Sequence, residues 1–442
     1  MKRLAFAAVA DDDTGASDLA GMLAEQRLRT LLVIDLPTEE QFLRWSEGYH
    51  AVVMAEGTRN LSPAIAYERT QAAIRLLRLR DPRVFQIKYC STFDSTSEGN
   101  IGQSIDAALD ELQEDFTIAL PALPVNGRTT YQGYHFVHHQ LLSDSPMRDH
   151  PLTPMTNPNL IRLLGQQTKR KVGLASYTEV EAGEEQLRLC FETLRAEGCQ
   201  IAIVDCLNDR QLETICRAAS DLKLLTGSSA FGMALPAIFR ERGWVKEEPS
   251  GLNIPLTQSS EGCLIVAGSC STATRGQNEW LLKQGVSSAR IRPEELLSEG
   301  FDRASLIAQV REHLAAGRHF LLTTTDSPAE VRRVQDWGAS KGLSVSTLGQ
   351  RVANAVADVV LEILLDQQVC GLVVAGGETS GAVCRRLELG ALSVGRNIEP
   401  GVPLCFSLGR FRLPLALKSG NFGSADFYGK ALQAISQASE YF

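Results

Sequence analysis

From Leu4 onward, short apolar runs alternate with stretches whose apolar residues recur at helical spacing, and this rhythm restricts the chain to very few architectures. Leu4–Val9 is followed by Leu19, Met22 and Leu23 at helical spacing and then by Leu31–Ile34, which reads as a βαβ unit. The alternation continues through Ala51–Met54, a helix over Ile65–Leu79, Val84–Lys88, a helix over Ile101–Leu112 and Phe116–Leu120. Strands joined by helices of this length pair in parallel, and both faces of their sheet are covered. The expected fold class is therefore α/β. Pro121–Pro158 interrupts the rhythm and reads as a long ordered loop, after which the alternation resumes up to a helix over Ala230–Arg240.

Residues 247–261 have the Pro, Gly and Ser density of a linker and divide the chain into residues 1–246 and 262–442. Beyond them the alternation restarts, with strands at Cys263–Ala267, His319–Thr323, Pro403–Leu408 and Pro414–Leu417. The expectation is two domains, each a mainly parallel sheet flanked by helices. With 442 residues, 44% of them hydrophobic, the chain can bury two such cores.

A net charge of −8 argues against a nucleic-acid partner, whose affinity rests on clustered Lys and Arg. Ten cysteines without a C-x-x-C pair indicate neither a zinc ribbon nor a disulfide framework, and a reducing cytoplasm suits them. The seven histidines, of which His138 and His139 are adjacent, compose no metal site. No apolar run reaches the roughly 18 residues of a membrane span. Met1-Lys2-Arg3 and Leu4–Ala10 imitate a signal peptide, but Asp11-Asp12-Asp13 ends the apolar run, so a first strand is expected.

Several loops carry the chemistry. Asp11-Asp12-Asp13-Thr14-Gly15 stands where the first strand should end, the side on which open parallel sheets bind ligands. Helix capping and dipole compensation account for one acid. The cluster suits a general base, with Asp12 and Asp11 as catalytic candidates. Lys88 to Asn100 is rich in hydroxyls and reads either as a hydrophilic loop, which its composition favours, or as a source of substrate ligands in Lys88, Asp94 and Ser95. Arg59 and Arg128 each follow a strand, as a fork for a substrate carboxylate or as a surface ion pair.

In the second half, three Gly/Ser loops follow strands: Gly268–Arg275 with Ser269 and Ser271, Gly376–Gly381, and Lys418–Gly423 with Gly420. Glycines such as Gly376 and Gly377 let a backbone approach phosphate, the first helical turn with Glu378 offers N–H donors, and Thr379 or Ser380 can cap the helix. An ordinary strand-to-helix turn looks the same. Thr226–Gly232 continues into Met233-Ala234, which excludes a Walker A loop, and no G-x-G-x-x-G follows a strand. Lys418 or Mg²⁺ is left to supply the missing positive charge. Phosphate loops in one domain and carboxylates with arginines in the other suggest an active site in the interdomain cleft, where nucleotide meets a small polar substrate.

In this order the motifs resemble the four-carbon acid sugar kinase family over nearly the whole chain. The resemblance rests on Ala10-Asp11-Asp12 with Thr14-Gly15-Ala16, Asp94-Ser95-Thr96 with Gly99-Asn100, Gly127-Arg128-Thr129, Gly376–Ser380 and Lys418–Gly423. Lys88–Thr96, Gln132-Gly133, His150–Pro154 and Leu417–Gly423 are similar to its 3-oxo-tetronate branch. The resemblance implies an amino-terminal acid-sugar-binding domain, a carboxy-terminal nucleotide-binding domain, ATP as donor with Mg²⁺, and phosphorylation of the terminal hydroxyl. It further implies a cytoplasmic enzyme and a homodimer. By position, Ser269, Gly377 to Ser380 and Gly420 would contact nucleotide, and Asp11, Asp12, Arg59, Asp94 and Arg128 the acid. Asp13, at a usually apolar position, and Glu98, where other branches carry arginine, depart from the pattern. The rival readings are a threonate or erythronate kinase of the same family, a non-catalytic sensor of nucleotide or sugar acid, and an NAD-dependent dehydrogenase.

Overall fold

The computed structural model describes residues 3–150, 153–246, 260–298, 300–324 and 327–442. It contains two compact units, Met1–Ser250 and Gly251–Phe442. Residues 247–259 of the expected linker, and residues 151 and 152 of the His150–Pro154 motif, lie outside the described residues.

In the first unit eight strands pair entirely in parallel. Their order is Thr30–Ile34, Ala51–Ala55, Phe6–Ala10, Val84–Lys88, Leu224–Gly227, Thr117–Leu120, Ile201–Val204 and Val172–Ala175. The central strands are wholly buried and, apart from Gln86 and Lys88, apolar on both faces. Each buried Val, Leu or Ile contributes about 1.5–3 kcal/mol relative to exposure, which is why such runs occupy the middle of a covered sheet. After Phe6–Ala10 the chain crosses to one side of the sheet, and after Val84–Lys88 to the other. The loops leaving these two neighbours therefore diverge, opening the crevice where doubly wound sheets hold ligands. Asp11–Asp13 and Lys88–Asn100 are these loops.

Pro121–Pro158 is not the irregular loop its sequence suggests. It contains a three-stranded antiparallel meander, Arg128–Tyr131, Tyr134–Val137 and Gln140–Leu141. Strands of two to four residues are too short for a readable period. The turn at Gln132 and Gly133 has both residues at positive φ, 51° and 72°, the geometry of a two-residue hairpin. Asp205 accepts hydrogen bonds from both turn amides, at 2.6 and 2.9 Å, and so fixes the hairpin to the main sheet.

The second unit has seven strands in the order Ser287–Arg290, Phe320–Thr323, Leu264–Ala267, Leu372–Ala375, Pro414–Lys418, Val402–Ser407 and Ala391–Glu399. The first five pair in parallel and the last two join antiparallel. Ser287–Arg290 was invisible in the sequence because an edge strand of Ser and Arg has no apolar run. Leu264–Ala267, Leu372–Ala375 and Pro414–Lys418 are consecutive neighbours, so the loops that leave them emerge side by side.

The cysteine reading needs correction at one place. Cys263 and Cys370, 107 residues apart, form a disulfide at the amino-terminal ends of two of these strands, with His319 beside them. Sequence spacing gave no sign of it, because the two cysteines meet only when their strands pair. The Cys263 N–H donates to His319 Nδ1 at 3.0 Å, so that nitrogen's lone pair is already engaged.

Candidate active site

In the first unit, Asp12 is the N-cap of the helix Asp13–Glu25 and accepts the Gly15 N–H at 2.9 Å. Arg59 holds Asp11 with both arms of its fork, Nε and Nη2 each at 2.9 Å, and Nη2 also reaches Asp12 Oδ1 at 2.7 Å. Its Nη1 faces Asp94 Oδ2 at 4.0 Å. Burial works against the Arg59 charge, but the carboxylates of Asp11 and Asp12 outweigh it and raise its pKa. Burial is also the largest influence on Asp12 and raises its pKa; Arg59 and Lys88 pull it down, and Asp11 adds to the rise. A buried carboxylate raised in this way is a candidate proton acceptor.

Lys88 ends its strand 4% exposed. Its Nζ lies 2.1 Å, and Asp12 Oδ1 2.4 Å, from the point a Cβ on Gly15 would occupy. Only glycine leaves this space open. Among the described residues nothing hydrogen-bonds the Lys88 ammonium.

Thus Asp11, Asp12, Arg59, Lys88 and Asp94 come together, while two other candidates stand apart. Ser95 is buried, and its hydroxyl accepts Gln167 Nε2 at 2.9 Å. Among the described residues Arg128 makes no hydrogen bond or ion pair with the cluster; its Nη1 donates to the Asn126 carbonyl, and its buried Nε has no partner there.

Sequence reasoning missed the residues that frame this site. Gln167 binds Ser95, Thr96 and Gly102 at once. Buried His135 donates from Nε2 to the Ser91 carbonyl at 2.8 Å, which leaves Nδ1 to accept from Thr130 at 3.0 Å. Burial lowers its pKa to about 4, so it is neutral at physiological pH and pins the meander to the Lys88 loop. No spacing rule links such distant partners.

In the second unit the three Gly/Ser loops interlock. Ser271 caps the helix Thr272–Lys283, accepting the Thr274 N–H at 3.1 Å and donating to the Gly420 carbonyl at 2.5 Å. Ser269 Oγ accepts the Ser271 N–H at 3.2 Å. The packing needs glycine at two points: a Cβ on Gly268 would lie 2.0 Å from Thr379 Oγ1, and one on Gly420 2.1 Å from Ser269 Oγ.

The helix Gly377–Arg386 starts earlier than its hydroxyls suggested. Gly376, at φ 129°, is the N-cap, so Thr379 and Ser380 are buried in the first turn and cap nothing. With no side-chain cap, the first amides of the helix remain available to an anion. Lys418 is buried and donates to Thr274 Oγ1 and the Ser419 carbonyl at 3.1 Å and to the Gly420 carbonyl at 3.2 Å. Its three donors are all spent on its own loop and on Thr274.

Beside Gly268, Glu378 and Thr379 opens a cavity of about 170 Å³. Val331, Val334, Val345, Leu348 and Val352, from the helices Pro328–Ser340 and Val345–Asp366, line its far side. An apolar cavity next to free helix amides has the layout of a nucleotide site, base against side chains and phosphates against backbone. In the sequence these valines read as ordinary core.

Residues 6–235 match the sugar-binding N-terminal domain family, and residues 264–428 the nucleotide-binding C-terminal domain family. The chain is 42% identical to a 3-oxo-tetronate kinase of Pseudomonas savastanoi pv. phaseolicola, across 97% of each chain. The chain belongs to the 3-oxo-tetronate kinase family of four-carbon acid sugar kinases. A second family member, the 3-oxo-tetronate kinase of Pseudomonas fluorescens, is 41% identical over 96% of this chain and 95% of its own. Among solved structures, a Haemophilus influenzae protein of the same fold superposes with a TM-score of 0.81 at 35% identity, covering 97% of this chain and all of its own. Among the described residues, no helix is long and apolar enough to cross a membrane.

Proposed function

We propose that the chain transfers the γ-phosphoryl group of ATP to the terminal, 4-hydroxyl group of 3-oxo-tetronate, giving 3-oxo-tetronate 4-phosphate. The observation that carries this reading is near-full-length similarity to kinases of that name, with sugar-binding and nucleotide-binding family domains on one chain. Asp12 accepts the proton of the attacking hydroxyl. Asp11 and Arg59 hold it in place through the fork already described. Because Arg59 is committed to two carboxylates, the carboxylate of the acid falls to Arg128, whose Nε has no partner.

On the nucleotide side the base enters the valine-lined cavity. The phosphates meet the amides at the start of Gly377–Arg386 and the backbone of the Gly268 and Gly420 loops. That first turn offers a single carboxylate, Glu378, together with hydroxyls. Such a donor set fits a Mg²⁺ that arrives on the nucleotide and keeps much of its water, held by Glu378. When bound it supplies charge neutralisation between the phosphates. The domain division at 247–261 is part of the same proposal.

The test is ADP release by the purified chain with ATP and a panel of 3-oxo-tetronate, threonate and erythronate. The expected result is preference for the oxo acid. Preference for a plain tetronate would move the enzyme to another branch of the family, and no turnover with any acid would favour a sensor.

A further inference from the structure

Two lysines are buried at strand ends, and they differ in one respect. Lys418 spends all three donors on Thr274, Ser419 and Gly420, whereas the Lys88 ammonium has no acceptor among the described residues. The Lys88 charge acts on Asp12, whose pKa it lowers, but no acceptor takes a hydrogen bond from it. The nearest carboxylate does not pair with it. Asp12 Oδ1 already accepts the Gly15 N–H and Arg59 Nη2.

Lys88 is aimed at a particular place. Its Nζ comes within 2.1 Å of the Cβ position of Gly15, in the first turn of the 13-residue helix Asp13–Glu25. The positive end of that helix faces the same space, and glycine keeps side-chain atoms out of it. A buried side chain whose ammonium has no hydrogen-bond acceptor among the described residues and is aimed at a helix amino terminus is suited to an oxyanion.

We propose that Lys88 and the first turn of Asp13–Glu25 receive the transferred phosphoryl group, making Lys88 a catalytic residue rather than the ligand of the acid's carboxylate. The inference rests on the kinase reading with Asp12 as base. Asp12 and Lys88 flank the same point, so the substrate oxygen that gives its proton to Asp12 lies beside Lys88. The lone pair of that oxygen bonds to the γ-phosphorus, the bond from the γ-phosphorus to the bridging oxygen breaks, and ADP leaves with the electron pair. The proton passes to Asp12. What arrives beside Lys88 is therefore the phosphoryl group; the carboxylate sits at the far end of the four-carbon chain. Protonation of Asp12 removes a negative charge as the phosphate comes in, and Lys88 remains to balance it.

The test compares the full-length wild type with Lys88→Met and Lys88→Arg, with folding followed by circular dichroism and thermal melting. kcat and KM are measured for ATP and the acid, and the dissociation constant for the 4-phosphorylated product that the wild type makes. Lys88→Met should lower kcat by about 10²–10³-fold, the usual loss for one transition-state charge partner. Product binding should weaken at least about tenfold while the KM of the acid stays within about threefold, and Lys88→Arg should restore part of kcat. A rise in acid KM with kcat preserved would assign Lys88 to the carboxylate and overturn the proposal, as would constants all unchanged. If Lys88→Met does not fold, Gly15→Ala occupies the same space from the other side. It should give the same phosphate-selective loss, and normal kcat in that variant overturns the proposal. A wild type inactive on every acid removes the kinase reading itself, which separates that failure from a failure confined to Lys88.

Discussion

Replacing Lys418 by Met tests whether the Gly420 loop is held from beneath by a buried cation. Burial lowers the Lys418 pKa from the ordinary 10.5 to about 8. At about 1.36 kcal/mol per unit, that shift corresponds to roughly 3 kcal/mol of linked stability. The sign follows from proton counting. Between pH 8 and 10.5 the unfolded chain keeps a proton that the folded chain has lost, so stability from this group rises with pH, is complete above 10.5 and is lost as pH falls through 8. The wild-type minus Lys418→Met difference in unfolding free energy should therefore increase by about 3 kcal/mol across that window. Thermal unfolding at several pH values measures it, using the transition that added ADP displaces, since a two-unit chain need not unfold in one step. The variant should also raise the KM of ATP about tenfold and leave the acid's KM unchanged, because the Ser419 and Gly420 carbonyls lose their charged donor. A pH-independent difference would refute the buried state of the ammonium. An unchanged ATP KM in a folded variant would refute the loop's part in nucleotide binding.

Three further outcomes follow from the same geometry. Asp12→Asn keeps an oxygen to cap Gly15 but removes the base, so folding should be near normal while kcat falls about 10²–10⁴-fold. In the wild type, kcat/KM should fall on the acid side with a midpoint above the ordinary carboxylate value of 3.8, since burial and Asp11 raise Asp12; a pH–rate profile checks it. Gly268→Ala drives a methyl to within 2.0 Å of Thr379 Oγ1, which should cost about 1–3 kcal/mol in denaturant unfolding and raise the KM of ATP.

The apolar rhythm was sufficient to place the strands that carry the site, because strands buried on both faces are mostly apolar, even where Gln86 and Lys88 interrupt one of them. It also located the loops, since the ends of such strands are where apolar residues give way to Asp11 or Gly376. What it could not supply was partnership. Arg59 read equally as a fork for a substrate carboxylate or as an ion pair, and only the structure shows that Asp11 and Asp12, nearly fifty residues earlier, occupy it. Lys418 read as a phosphate ligand, but its acceptors lie on its own loop and on Thr274. Thr379 and Ser380 read as caps because hydroxyls next to glycine usually are, and the positive φ of Gly376 moved the helix start past them. The meander over Arg128–Leu141 and the Cys263–Cys370 bond depend on pairing between distant segments, which leaves no local period. The nucleotide cavity was hidden for a different reason: valines that line a pocket and valines that fill a core have the same pattern until the helices are packed.

The most direct measurement is the ³¹P spectrum of a reaction of the purified chain with ATP, Mg²⁺ and 3-oxo-tetronate, read alongside ADP release. The account predicts one new phosphomonoester on the terminal carbon for each ADP formed, with threonate and erythronate turned over more slowly. ADP without a phosphorylated acid, or a faster reaction with either plain tetronate, would contradict it.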